Sequence, residues 1–181
     1  MDVSDLFNVE GKVVLVTGGA KGIGRMISEG FVQNGATVYI SSRDAKACDK
    51  AVSELNALRK GKAAAIPADF YKEEDCKRLA AELSRRESST AFLMTNFVVA
   101  ANAFVVELHI LVNNSGSNWG APYDEYPDSA WTRVLTLNLQ RVFTITQLLT
   151  PLLERAASPG DPSRIINIGS MDGLRVPVLE T

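Results

Sequence analysis

Three glycines, Gly18, Gly22 and Gly24, follow directly on the apolar run Val13-Val14-Leu15-Val16-Thr17. An unbroken apolar run that ends in glycine is the pattern of a strand buried on both faces that turns into a helix. In such a turn the glycines let the chain leave the strand, bring backbone close to a phosphate, and press the next helix against the sheet. That helix, about Ile23 to Asn34, would aim free N–H groups and the positive end of its dipole at the phosphate. Glycines alone would fit an ordinary strand-to-helix turn. Set between a buried strand and a helical pattern, they predict a dinucleotide phosphate site at Gly18, Gly22, Ile23 and Gly24.

The next residues able to do chemistry follow the second apolar run, Ala36-Thr37-Val38-Tyr39-Ile40-Ser41, in Ser42-Arg43-Asp44. A dinucleotide with a free ribose 2′-OH is commonly met here by a carboxylate, whereas a 2′-phosphate wants a cation. Arg43, with Ser42 beside it and Lys21 in the glycine loop, can supply the charge-assisted contacts that a phosphate rewards. The plain alternative is a pair of solvated surface cations, and the neighbouring Asp44 counts against a cationic site. The charge argument favours NADPH over NADH, so NADP(H) is the expected cofactor.

What must position these groups is a regular alternation of elements. After the first strand and helix, Ala36 to Ser41 reads as a second strand. Asp44 reads as the cap of a helix reaching about Lys60, with Val52, Leu55 and Leu58 inward. Gly61 is expected to end it. Lys62 to Ala68 makes a third strand, and a helix from about Lys72 to Arg86 turns Leu79, Ala80 and Leu83 inward. His109 to Asn113 is a fourth strand. One long helix follows, about Asp128 to Ala157, with a bend expected near Pro151, and Arg164 to Ile168 is a fifth strand. Strands alternating with helices through short loops imply right-handed crossovers and a parallel sheet. The predicted fold class is therefore α/β, a doubly wound parallel sheet of the NAD(P)-binding Rossmann type, forming a single domain over residues 1–181.

Composition limits the partners. The 181 residues are 46% hydrophobic and 22% charged, enough to bury one core. Nineteen basic and 21 acidic residues leave a net charge of -2 with no basic block, so nucleic acid is not an expected partner. The start, Met1-Asp2-Val3-Ser4-Asp5, lacks the basic and apolar regions of a secretory signal, so a cytoplasmic location is expected. Cys48 and Cys76 fall in predicted helices without metal-ligand spacing, and the single His109 has no ligand partner, so reduced thiols and no metal are expected.

Several motifs occur in register: Thr17-Gly18-Gly19-Ala20-Lys21-Gly22-Ile23-Gly24, Asp69, Asn113-Asn114-Ser115-Gly116, Asn138, and Ile166-Asn167-Ile168-Gly169-Ser170. In order and approximate spacing they resemble the short-chain dehydrogenase/reductase family. Within it, Ser42-Arg43-Asp44-Ala45, Ala65-Ile66-Pro67-Ala68-Asp69 and Trp119-Gly120-Ala121 look like 3-oxoacyl-[acyl-carrier-protein] reductases of the rhamnolipid-biosynthesis type. The resemblance implies hydride transfer from a nicotinamide to a small-molecule carbonyl or acyl substrate. It assigns Asp69, with Phe70 beside it, to the adenine ring, although a helix cap is an alternative for Asp69. It assigns Asn114, Ser115 and Gly116 to a turn that lines the nicotinamide-side ribose, with serine in place of the usual alanine at Ser115. Asn138 matches the family's catalytic asparagine, which holds a water in a proton relay. An amide buried there without partners would cost about 1–3 kcal/mol, and a helix kink satisfied by backbone is the other reading. Ser170, at the carboxyl end of a strand, matches the serine that hydrogen-bonds the substrate carbonyl.

One part of the pattern is missing. In the family a tyrosine protonates the developing alkoxide, and a lysine four residues on lowers the phenol pKa from about 10. Here Tyr39, Tyr71, Tyr123 and Tyr126 are followed four residues later by Arg43, Asp75, Pro127 and Ala130. The family's tyrosine falls beyond the serine matched by Ser170, at a position this chain does not reach before Thr181. An amino-terminal portion of a reductase is therefore expected, short of the last strands and of half the dimer contact of a family that forms homo-oligomers. Little or no reductase activity is expected of it, since positioned proton transfer is worth about 100- to 10,000-fold. The alternative is a non-catalytic NADP-binding fragment or pseudo-enzyme.

A second departure is the uncharged stretch at 88–106, Ser-Ser-Thr-Ala-Phe-Leu-Met-Thr-Asn-Phe-Val-Val-Ala-Ala-Asn-Ala-Phe-Val-Val, where the family has a short loop. Thr95, Asn96 and Asn102 interrupt an apolar run already short of the about 20 residues of a membrane span, so no membrane anchoring is expected. A lid or a partner-binding helix is one reading of the insertion, at about 88–107, but an uncharged insert would be an aggregation hazard, so translated non-coding sequence such as a retained intron is expected.

Overall fold

The computed structural model describes residues 7–94 and 107–174. Its scaffold is a sheet of β1 (Val13–Thr17), β2 (Thr37–Ser41), β3 (Lys62–Ala65), β4 (Ile110–Asn113) and β5 (Arg164–Asn167), in the order β3-β2-β1-β4-β5. All four pairings are parallel, with Leu15 opposite both Tyr39 and Leu111, and Asn113 opposite Asn167. The helices are α1 (Gly22–Gln33), α2 (Ala45–Asn56), α3 (Glu73–Met94), α4 (Asp128–Leu135) and α5 (Arg141–Ala156). This is the doubly wound α/β fold that the alternation predicts.

The pleat of β1 explains why that strand is apolar throughout. Val14 and Val16 face one core, shared with Val32 of α1 and Cys48, Ala51 and Leu55 of α2. Val13 and Leu15 face the other, built with Cys76, Leu79 and Leu83 of α3 and Ile145, Leu149 and Leu152 of α5. Both thiols are free and buried, and burial pushes the Cys48 and Cys76 thiols up. At the amino-terminal edge of the sheet, Val13 N–H donates to His109 Nδ1 at 3.1 Å, and Lys12 pairs with Asp161.

Several boundaries differ from the sequence expectation; the third strand, for one, ends at Ala65 and not at Ala68. The second helix stops at Asn56, not near Lys60, and Arg59 takes a left-handed φ of 56°, so Leu58 is exposed while Leu55 is fully buried. Gly61 comes too late to be the terminator. The third helix runs past Arg86 to Met94, carrying the start of the uncharged stretch into α3; the rest of that stretch, 95–106, lies outside the described residues. The long helix is interrupted at a π segment, Thr136–Gln140, and continues through Pro151. Pro151 and Gln147 are both exposed, so the carbonyl deprived of its donor lies on the solvent side, where a proline is less costly.

Candidate functional site

The site lies at the opposite, carboxyl edge of the sheet, where the loops after β1, β2, β3 and β4 converge. Gly18 (φ +68°) and Gly22 (φ +54°) adopt the left-handed conformation that favours glycine. A side chain on Gly24 would overlap the Gly18 carbonyl and the Asn114 amide, whereas one on Gly22 would meet nothing within 4 Å. The first thus lets α1 close on the β4 loop, and the second leaves bare backbone facing open space. The earliest bond into α1 runs from Arg25 N–H to the Lys21 carbonyl at 3.2 Å, so the N–H groups of Gly22, Ile23 and Gly24 precede the helix's own hydrogen-bond ladder. A diphosphate fits that donor set.

Thr17, at the end of β1, ties the two loops together. Its hydroxyl accepts from Asn114 N–H at 2.9 Å and Ser115 N–H at 3.0 Å and reaches the Val112 carbonyl at 3.3 Å. Asn114 Nδ2 donates back to the Thr17 carbonyl at 3.0 Å. One residue before Asn114, Asn113 Nδ2 donates to Thr146 Oγ1 and Asn167 Oδ1, which joins β4 to α5 and β5.

Between these loops is a cleft of about 260 Å³ lined by Gly18, Ser42, Arg43, Ala68, Asp69, Phe70, Tyr71, Asn114, Ser115, Gly116, Ser117, Arg133 and Leu137. It brings together eight of the residues singled out from sequence: Gly18, Ser42, Arg43, Asp69, Phe70, Asn114, Ser115 and Gly116. Lys21, Gly22, Ile23 and Gly24 stand outside that wall, on the glycine turn beside it. Asp69 does not cap α3. Its Oδ1 accepts from Tyr71 N–H at 3.2 Å and its own N–H donates to Asp75 Oδ2 at 2.7 Å, a bond that lowers the Asp75 carboxyl below its usual range.

Asn138 sits in the π segment, exposed rather than buried, with both amide groups engaged by one residue. Ser117 N–H donates to its Oδ1 and its Nδ2 donates to the Ser117 carbonyl, each at 2.8 Å. The side chain thereby fixes the loop after β4 against the helix. Ser170, after β5, is exposed and does not line the cleft.

Sequence reasoning missed the outer wall. The Arg133 guanidinium lies 5.5 Å from the Trp119 ring centre and 5.9 Å from that of Tyr71, bridging three separate segments. Nothing local in sequence announces such a cluster, because its members are joined only by the fold. Among the described residues there is no group of His, Cys, Asp and Glu side chains able to hold a metal ion, and no helix long and apolar enough to cross a membrane.

The glycine turn and the parallel sheet beneath it are those of a Rossmann fold, and the chain belongs to the short-chain dehydrogenase family, whose model matches residues 12–180. It is 42% identical over 168 residues to the rhamnolipids biosynthesis 3-oxoacyl-[acyl-carrier-protein] reductase of Pseudomonas aeruginosa. That alignment covers 93% of this chain and 58% of the relative, so the chain spans less than two thirds of the reductase's length. Among solved structures, the Pseudomonas aeruginosa RhlG/NADP active-site complex matches with a TM-score of 0.82 and 40% identity, covering 96% of this chain and 60% of that one. An NAD+-bound xylitol dehydrogenase matches with a TM-score of 0.75 at 24% identity, over 93% of this chain and 56% of that one, a likeness of fold alone.

Proposed function

We propose that the protein is an NADPH-dependent reductase of a 3-oxoacyl-type carbonyl, and that this 181-residue chain binds the cofactor without turning substrate over. The observation that carries the reading is the placement of Arg43 on the wall of a cleft that Gly18, the first residue of the glycine turn, also lines. A cation there suits a 2′-phosphate, and the 40% identity to a protein solved as an NADP complex agrees with it. Gly22, Ile23 and Gly24 would hold the diphosphate through backbone N–H groups, Asp69 and Phe70 the adenine, and Asn114 to Gly116 the nicotinamide-side ribose. When bound, the cofactor supplies a hydride to the carbonyl carbon. Ser170 would hold the carbonyl oxygen by a hydrogen bond, and Asn138, through Ser117, would keep the β4 loop in place. No tyrosine in the chain has a lysine four residues on to make it the proton donor.

A cytoplasmic location belongs to the same reading, supported by the free thiols of Cys48 and Cys76. The family's homo-oligomer is not expected of this chain alone, although Trp131, Leu135, Leu139 and Phe143, spaced four apart on α4, the π segment and α5, are all exposed large apolar side chains. Sedimentation velocity would read the oligomeric state directly.

Fluorescence titration with NADPH and NADH, followed by NADPH oxidation with a 3-oxoacyl thioester, tests the proposal. Binding with no turnover is expected. Turnover near that of a full-length relative would overturn the inactivity, and failure to bind either dinucleotide would overturn the cofactor assignment.

A further inference from the structure

The two cations assigned to the 2′-phosphate are not in the same state. Arg43 is exposed and lines the cleft. Lys21 does not line it; its ammonium is held 2.9 Å from Asp44 Oδ2. Asp44 is anchored independently, because its Oδ1 accepts from Ala47 N–H at 3.0 Å and so caps α2. One carboxylate therefore joins the β2–α2 turn to the glycine loop, beside the residue that faces the cleft. The bond from Lys21, followed by that from Ala47, holds the Asp44 carboxyl below its usual range, so it remains an anion.

An anionic group that enters between Arg43 and the glycine loop meets this geometry at a disadvantage. To gain Lys21 it must take the ammonium from Asp44, and it must do so within the field of the Asp44 charge. A ribose 2′-OH carries neither penalty. Resting on the reading of the cleft as an NADPH site, we propose that Asp44 is a specificity-determining residue that withholds Lys21 and limits the preference for a 2′-phosphorylated dinucleotide. The preference then reflects Arg43 and a partly released Lys21 set against Asp44, and the residue that caps α2 also tunes cofactor choice.

The test uses this chain and two neutral variants that keep a capping oxygen, Asp44→Asn and Asp44→Ser. Dissociation constants for NADPH and NADH are measured by fluorescence titration at fixed salt. In both variants the affinity ratio of NADPH over NADH should rise about 5- to 10-fold, as expected for one exposed charge near a phosphate. In a Lys21→Met background most of that rise should disappear. A ratio that stays within about twofold of the original, or falls, overturns the inference while dinucleotide binding persists. A full rise in the Lys21→Met background overturns the route through Lys21. If the unaltered chain binds neither dinucleotide, the reading of the cleft fails first and the inference falls with it.

Discussion

β1 and β5 are strands of similar chemistry in one parallel sheet, yet they meet opposite environments. Every residue of β1 is buried, and Leu15 has no exposed surface. On β5, Ile165 is 47% and Ile166 40% exposed, and Ile168 just beyond it is also 40% exposed. The difference is one of coverage. β1 has strands on both sides and helices on both faces, whereas β5 pairs with β4 alone among the described residues. The glycine turn thus leaves a strand that cannot shift, while Ser170 follows a strand that shows apolar surface. Under the proposed reading, the phosphate turn follows the fully covered strand and the substrate serine follows the partly covered one.

The largest effect should separate the two strands directly. Leu15→Ala empties a fully buried position and should cost about 2–5 kcal/mol in urea unfolding, against under about 1 kcal/mol for Ile166→Ala. Equal losses would break the contrast. A smaller change tests whether the rigidity of β1 reaches the site. Thr17→Val keeps the shape but orphans the N–H groups of Asn114 and Ser115, which should cost about 1–3 kcal/mol and weaken NADPH binding, with Thr17→Ser restoring both. Lost stability with unchanged binding would confine Thr17 to the scaffold.

The smallest effect concerns the far edge of the sheet. His109 accepts from Val13 N–H through Nδ1, and burial, reinforced by Lys12 and Arg164 against the opposing Glu107, lowers its pKa below 6.5. The unfolded chain therefore takes up this proton at a higher pH than the folded one. The contribution of His109 is present above about pH 6.5 and is lost as pH falls through the folded value. Thermal midpoints from about pH 7.5 to about pH 5.5 should fall, and His109→Asn should flatten that slope. An unchanged slope would place the pH response in other groups.

Much of this was legible in the residues, because some features depend only on near neighbours. The apolar run before Gly18 marks a two-faced strand, Asp44 marks a cap, and Leu79 and Leu83 mark the inward face of α3, all as found. Legibility failed where a distant group decided the outcome. The interruption at Thr136–Gln140, legible only as the alternative of a kink satisfied by backbone at Asn138, coincides with an amide engaged by Ser117, 21 positions earlier, while Pro151, the expected bend, faces solvent. Asp44 reads as a counter-charge to Arg43 in sequence, and the fold turns it toward Lys21 instead, 23 positions away.

By itself, then, the sequence determined the alternation of strands and helices, the place of the glycine turn and the presence of cations near it. These follow from side-chain periodicity and from the conformational freedom of glycine, which act over a few residues. Only the tertiary structure decided which cation faces the cleft, what Asn138 holds and how Arg133 meets Tyr71 and Trp119. Hydrogen bonds, ion pairs and ring contacts act over a few ångströms between segments far apart in the chain, and packing alone brings those segments together.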